Sequence, residues 1–174
     1  ISATGSAGTI AAADFLRTLH PEMIVTATEA LQCPTLFSCG FGGHRIEGIG
    51  DKHVPWVHNV RNTDFVCAVD DRQCMDLLRL FNEEAGRAVL AGAGVDPALV
   101  DRLDLLGISC ICTLVAAIKP ARYYGMDGRD VVFTVLTDSA ELYSSRLVEL
   151  AAEHGPYDRE TAIAHRARWL EGVT

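Results

Sequence analysis

Basic charge is scarce in this sequence and is nowhere concentrated. Lysine and arginine number 15 against 23 aspartates and glutamates, leaving a formal net charge of −8. Lysine occurs only at Lys52 and Lys119. A nucleic-acid surface needs clustered Lys and Arg, so a nucleic-acid partner is not expected. Long apolar runs are also missing. Ile111–Ile118 is among the longest, far short of the ~20 residues that cross a bilayer, so no membrane partner is expected either. Ile1 stands without a preceding Met, and no charged n-region or apolar h-region follows. The sequence stops inside an apparently helical stretch, Ala162–Leu170, and both ends are expected to be cuts in a longer polypeptide. No repeat or low-complexity tract is visible.

What is present fits one domain of ordinary size, since 174 residues suffice for a sizeable core. Hydrophobic residues make up 49% and charged residues 22%, as in a globular protein. The six cysteines, at 33, 39, 67, 74, 110 and 112, sit mostly in apolar or periodic segments. They read as reduced core cysteines of a cytoplasmic protein. Cys110-x-Cys112 has the wrong spacing for a zinc knuckle, and the six histidines form no ligand set, so no metal is expected.

Helices alternate with short apolar strands. Ile10–Leu19 has helical spacing and ends at His20-Pro21. Met23–Thr28 and Phe65–Val69 read as buried strands, with Val131–Leu136 as a third. Cys33–Asp51 is a Gly-rich loop with one helical turn. Asp70 and Gln73 form a capping-box pattern ahead of a helix Arg72–Ala85, which Gly86 closes. Asp96 and Pro97 open a helical stretch to Leu105. Gly107-Ile108-Ser109 turns into an apolar helix Cys110–Tyr124, and Leu114, Val115 and Ile118 anchor its faces. Thr137-Asp138-Ser139 caps a helix Ala140–His154, and a last helix starts near Pro156. The expected fold is α/β, a parallel sheet flanked by helices in three layers. Residues 1–155 are expected to form the α/β domain and residues 156–174 a helical extension.

Thr4-Gly5-Ser6-Ala7-Gly8-Thr9 opens directly into the first helix. Gly5 and Gly8 let the backbone approach a ligand. The first helical N–H groups have no internal partner, and the helix dipole adds partial positive charge. Ser6 and Thr9 add hydroxyl donors, completing a phosphate cradle that needs no Lys or Arg. No Gly-Lys-Ser/Thr and no Gly-x-Gly-x-x-Gly is present, so neither the P-loop nor the dinucleotide pattern applies. A tight strand-to-helix turn without ligand is the alternative. His44–Gly50 and Gly107–Ser109 are further loops at strand ends, where ligands of parallel sheets collect.

Together these segments resemble the tryptophan-synthase-β-like, fold type II pyridoxal phosphate enzymes, nearest to cysteine synthase. Gly5-Ser6-Ala7-Gly8-Thr9 resembles the family's Gly-Thr-Gly-Gly-Thr phosphate loop. Ala27-Thr28-Glu29 resembles its Val-Glu-Pro strand end. His44–Gly50 resembles Lys-Ile-Gln-Gly-Ile-Gly, and Gly107–Cys112 resembles the Gly-Ile-Ser-Ser-Gly-Ala turn. Ser139–Tyr143 resembles Ser-Gly-Glu-Arg-Tyr. The chain looks like the C-terminal part of such an enzyme, a portion of its large domain. Ala7, Cys110-Ile111-Cys112 and an insertion at Gly92–Leu105 depart from the family pattern.

The resemblance implies pyridoxal 5'-phosphate held by Gly5, Ser6, Ala7, Gly8, Thr9, Gly48 and Ser109, with Ser109 at the pyridine nitrogen. A neutral hydroxyl there leaves the cofactor a weaker electron sink. It implies β-elimination or β-replacement on a serine-like or cysteine-like amino acid. Partners are then a small amino-acid substrate and a second copy of the chain, or the part that carries the Schiff-base lysine. Neither Lys52 nor Lys119 matches that lysine, and both read as solvent-facing or snorkelling. The alternative function is a non-catalytic phosphate- or nucleotide-binding α/β module.

Overall fold

The computed structural model describes residues 1–172. The chain divides into two compact units, each built from two stretches of sequence. The first holds Ile1–Asp71 and Cys112–Leu136; the second holds Arg72–Ile111 and Thr137 onward.

The first unit contains a parallel sheet in the order β1-β2-β3, from Ser2–Ala3, Thr26–Ala30 and Phe65–Val69. All five residues of β2 are buried, as suits the central strand of a parallel sheet. Helix α1 (Gly8–Leu19) packs Ile10 and Ala13 against Val25 and Ala27. Its Phe15 and Leu19 face outward, 67% and 58% exposed, so the inner stripe is made of smaller residues than the spacing suggested.

Strand β2 lies further along the chain than the expected Met23–Thr28. The apolar run begins at Met23, but its first backbone groups are claimed by side chains. Arg17 donates to the Met23 carbonyl at 2.6 Å, and the Val25 N–H donates to the Asp64 carboxylate at 2.8 Å. Arg17 and Asp64 are themselves paired. The ladder to β3 therefore starts at Thr26, opposite Phe65.

Val131–Leu136 is not a strand. It runs extended beside Ile1, whose nitrogen donates to the Phe133 carbonyl at 2.9 Å and whose carbonyl accepts from Thr134 Oγ1 at 3.0 Å. Strand β1 is only two residues long, and its ladder runs to β2 rather than to this segment. The β-branched composition is spent on a surface segment, with Val131 88% and Phe133 66% exposed. From within β2, the buried Glu29 accepts from the amides of Leu36 (2.9 Å) and Phe37 (2.8 Å) in the following loop, holding the one-turn helix α2 (Thr35–Ser38).

Two further corrections concern the apolar helix, here α6 (Ile108–Tyr123). Leu114 is exposed rather than anchoring; Val115 is buried and Ile118 half-buried. Lys119 does not extend into solvent: its Nζ donates to the Ala68 carbonyl of β3 at 2.9 Å.

In the second unit the expected helix Arg72–Ala85 is two helices, α3 (Asp71–Asn82) and α4 (Glu84–Gly92). The break is at Glu83, whose ψ of 147° leaves the helical region. Gly86 does not close a helix. It lies inside α4, where a Cβ would sit 2.2 Å from the Leu80 carbonyl oxygen. Glycine is needed there for close backbone approach. The stretch from Asp96 to Leu105 is shorter than expected. Asp96 does cap it, accepting from Ala98 N at 2.9 Å with Pro97 next, but α5 ends at Val100 and a 3-10 turn follows at Leu103–Leu105. The expected helix Ala140–His154 opens as a 3-10 turn, Ala140–Tyr143, before α7 (Ser144–His154). The last helix, α8 (Arg159–Arg166), starts three residues beyond Pro156 with Asp158 as its cap, and positions 173 and 174 of the expected extension lie outside the described residues.

A polar network holds this unit together. Asp76 accepts from Trp169 Nε1 at 2.9 Å and lies 3.5 Å from His165 Nε2; Tyr157 Oη lies 3.1 Å from His165 Nδ1. Burial pushes the Tyr157 hydroxyl well above its usual range, so it stays the donor to Nδ1. The proton of neutral His165 then sits on Nε2, toward Asp76. Arg79 lies over the Tyr157 ring at 4.7 Å and donates to the Gly155 carbonyl at 3.0 Å.

Two predictions follow from this unit. Gly86→Ala forces backbone apart and should lower unfolding stability by about 1–3 kcal/mol, read as a shift in urea midpoint with an unchanged slope. His165 is held below its ordinary value by burial, against Asp76, which acts to raise it. The unfolded chain therefore takes up the proton first. Stability should be level above the ordinary histidine value of about 6.5 and decline as pH falls below it. Urea midpoints measured against pH should show that decline, flattened in His165→Gln.

Candidate cofactor site

In the first unit the loop Thr4–Thr9 hangs from the end of β1. Thr4 is buried, and both its N–H (2.7 Å) and its Oγ1 (3.0 Å) donate to the Thr28 carbonyl of β2. Its own carbonyl accepts from Gly50 N at 2.8 Å. That bond draws His44–Gly50 against the loop. A Cβ on Gly5 would stand 3.3 Å from Ile49 Cα and 3.4 Å from the Gly48 carbonyl oxygen. Gly48 and Gly50 have φ of 85° and 88°, which glycine adopts freely. The structure thus brings Gly5 and Gly48 together.

Ala7 enters α1 in the left-handed region, φ 60° and ψ 15°, with its side chain buried. The glycine expected at this position would sit there unstrained, whereas a non-Gly residue costs roughly 1–2 kcal/mol. The first intrahelical bond runs from Ala11 N to the Ala7 carbonyl at 3.1 Å, so the amides of Gly8, Thr9 and Ile10 have no acceptor within the helix. A Cβ on Gly8 would meet nothing within 4 Å. Gly8 is thus open on its side-chain face, and the first three amides have no helical acceptor, an arrangement that fits an anion such as a cofactor phosphate. Ser6 is exposed, and the Thr9 hydroxyl is hydrogen-bonded to Ser2 Oγ. Beside the loop, Thr4, Gly5, Glu29, Cys33, Gly50 and His58 line a cavity of about 10 Å³, room for roughly one water.

Ser109 belongs to the second unit. It is the second residue of α6, not its cap. The cap is Asp138, expected to serve the following helix instead. Its carboxylate accepts from Ser109 N (3.3 Å), Cys110 N (3.2 Å), Ser109 Oγ (2.9 Å), Cys110 Sγ (2.8 Å) and Tyr143 Oη (2.6 Å). Thr137 Oγ1 lies 3.0 Å from Ser109 Oγ. Burial works to raise the Asp138 pKa, yet hydrogen bonds from Cys110, Tyr143 and Ser109 hold it below the usual carboxylate value. Burial pushes the Cys110 thiol up, with its hydrogen bond to Asp138 adding to the effect. Gly107 makes room: a Cβ there would lie 2.4 Å from Asp138 Cγ. Sequence reasoning missed this role because Asp138 stands 28 positions from Cys110. Thr-Asp-Ser before a helix points only to that helix. All six cysteines are without disulfides; five are buried and Cys39 is exposed.

No protein-family model matches the chain. Solved structures do. It is similar to O-acetyl serine sulfhydrylase isoform 3 of Entamoeba histolytica, with 21% identity, TM-score 0.68, over 95% of this chain and 44% of that one. It is similar to the cysteine synthase of the same organism, with 20% identity, TM-score 0.70, over 100% and 45%. It is similar to the O-acetylserine dependent cystathionine beta-synthase of Helicobacter pylori, with 25% identity, TM-score 0.60, over 83% and 41%. The resemblance drawn from the sequence therefore holds for the fold, which is that of the cysteine-synthase-like, fold type II enzymes. The chain spans less than half the length of these structures. No helix among the described residues is long and apolar enough to cross a membrane.

Gly107→Ala should drive the Asp138 carboxylate off the head of α6. We expect a stability loss of about 1–3 kcal/mol, with helical content falling at a lower urea concentration than in the parent.

Proposed function

We propose that the whole protein is a pyridoxal-phosphate-dependent enzyme carrying out β-elimination or β-replacement on a serine-like or cysteine-like amino acid. The observation that carries this reading is the start of α1: three amides without helical acceptors, with open space at the side-chain position of Gly8, beside a glycine loop pinned by Thr4. Gly5, Ser6, Ala7, Gly8 and Thr9 hold the cofactor phosphate through backbone N–H groups and the Ser6 hydroxyl, and Gly48 closes the loop from behind. Ser109 meets the pyridine nitrogen. The cofactor supplies an electron sink for bond cleavage at the amino-acid α-carbon. The residues of this chain bind and orient it. The similarity of fold to a cysteine synthase and a cystathionine beta-synthase supports the substrate class. The Schiff-base lysine is supplied from outside these 174 residues, and the enzyme acts in the cytoplasm. Residues 1–155 form its cofactor-binding portion and 156–174 a helical extension.

Gly8→Asp tests the reading. A carboxylate in the first turn suits a helix N-terminus, so the fold should keep or gain a few tenths of a kcal/mol. The same charge repels a phosphate. The full-length parent should take up pyridoxal phosphate with a near-UV/visible band, and Gly8→Asp should lose at least tenfold in affinity. Equal uptake by both overturns the loop assignment. A parent that binds inorganic phosphate but not the cofactor is instead a phosphate-binding module.

A further inference from the structure

The cavity of about 10 Å³ beside the glycine loop is lined by polar groups, and most of them are already engaged. Thr4 spends its N–H and its hydroxyl on the Thr28 carbonyl, and its own carbonyl accepts from Gly50 N. Thr35 Oγ1 and Cys33 Sγ both donate to the Asp51 carbonyl. Two groups keep capacity. Each carboxylate oxygen of Glu29 accepts a single amide, one from Leu36 and one from Phe37, and a carboxylate has about four acceptor sites in all. His58 is only 6% exposed; its Nε2 lies 2.9 Å from Thr63 Oγ1, and its Nδ1 has no hydrogen-bond partner among the described residues. Burial holds the ring below its ordinary pKa, against Asp14, which acts to raise it. The ring is thus neutral at neutral pH, with one N–H and one acceptor nitrogen. A buried ring nitrogen left unpaired is costly.

We infer that this cavity binds one ordered water, which bridges His58 Nδ1 and the Glu29 carboxylate, and that His58 acts through it as a positioning residue for the phosphate loop. The volume admits about one water and nothing larger. A water both donates and accepts, so it satisfies Nδ1 in whichever tautomer Thr63 selects. Its remaining proton goes to Glu29, which has acceptor sites to spare. Glu29 belongs to β2 and anchors α2, and Thr4 hangs from Thr28, the preceding residue of the same strand. His58 lies eight residues beyond Gly50, in the stretch that Thr4 draws in through the Gly50 amide. The water ties the far end of that stretch back to β2, next to the anchor of the phosphate loop itself. Held at both ends, the stretch keeps Gly48 and Gly50 against Gly5. The positioning role rests on the cofactor reading above; the water site does not. No covalent bond changes.

The test begins with a crystal structure of the full-length protein at a resolution that shows ordered water. One water should lie within hydrogen-bond distance of both His58 Nδ1 and the Glu29 carboxylate. A dry cavity overturns the inference, and this arm needs no variant to fold. His58→Asn and His58→Gln then separate the two ring nitrogens. Asparagine places a polar atom near the position of Nδ1 and gives up Thr63; glutamine reaches Thr63 and leaves the Nδ1 position apolar. Pyridoxal phosphate uptake by the full-length protein, titrated through its near-UV/visible band, reports on the loop. Affinity should fall about three- to tenfold in His58→Gln, the equivalent of one lost hydrogen bond, and stay within about twofold of the parent in His58→Asn. A histidine that only fills space would be hurt by either change. Parent-like affinity in His58→Gln, or an equal loss in both variants, overturns the positioning role. A parent that holds the water but takes up no pyridoxal phosphate overturns the cofactor reading and the positioning role with it, while the water site stands.

Discussion

The carbonyl of Thr28 accepts two hydrogen bonds, from the amide and the hydroxyl of Thr4, and the candidate phosphate loop is positioned by that pair. Thr28 lies in the central strand, fully buried and laddered on both sides. What attaches to it inherits the rigidity of the sheet. Thr4 in turn receives Gly50 N, so the second glycine loop is fixed through the same threonine. The loop can then carry a left-handed alanine at position 7 and leave three helical amides unpaired. Both are unfavourable locally, and both persist because the surrounding bonds fix the backbone.

The second unit relies on buried and half-buried charge instead. Asp76 and Asp138 each gather several donors from distant parts of the sequence, and Arg79 is 3% exposed against Glu83, Tyr157 and Gly155. Groups of this kind are costly to bury alone and tolerable only when fully paired. Each ties helices together through directional bonds, where an apolar core leaves more freedom in how helices slide.

These two modes of construction explain which parts of the fold could be read from the sequence. Phe65–Val69 was legible to the residue, because a continuous β-branched and apolar run there does form a ladder strand. The end of α1 at Leu19, the Asp96-Pro97 cap and the glycine-rich loops were legible because local chemistry dictates them, whereas α1 begins two residues earlier than expected, at Gly8. Strand β2 was misplaced because Arg17 and Asp64 take its first backbone groups, and no local pattern announces that. Val131–Leu136 has strand composition, yet strand propensity reports packing against neighbours more than backbone preference. Gly86 and Gly107 look like ordinary turn or helix-end glycines. Only the packed structure shows that one admits the Leu80 carbonyl and the other the Asp138 carboxylate. The close approach of Gly5 to Gly48 and Ile49 follows from glycines visible in the sequence, whereas the partner of Ser109 was not visible there.

Lys119 gives the sheet a definite boundary. Strand β3 is an edge strand, and its Val69 carbonyl is used by Leu31 N while the neighbouring Ala68 carbonyl is taken by the lysine ammonium. A foreign strand sliding along that edge finds one of its acceptors already engaged and a cation standing in its path. Edge lysines of this kind discourage strand-to-strand aggregation. One of only two lysines in the chain thus occupies a backbone acceptor of β3 that an incoming strand would need.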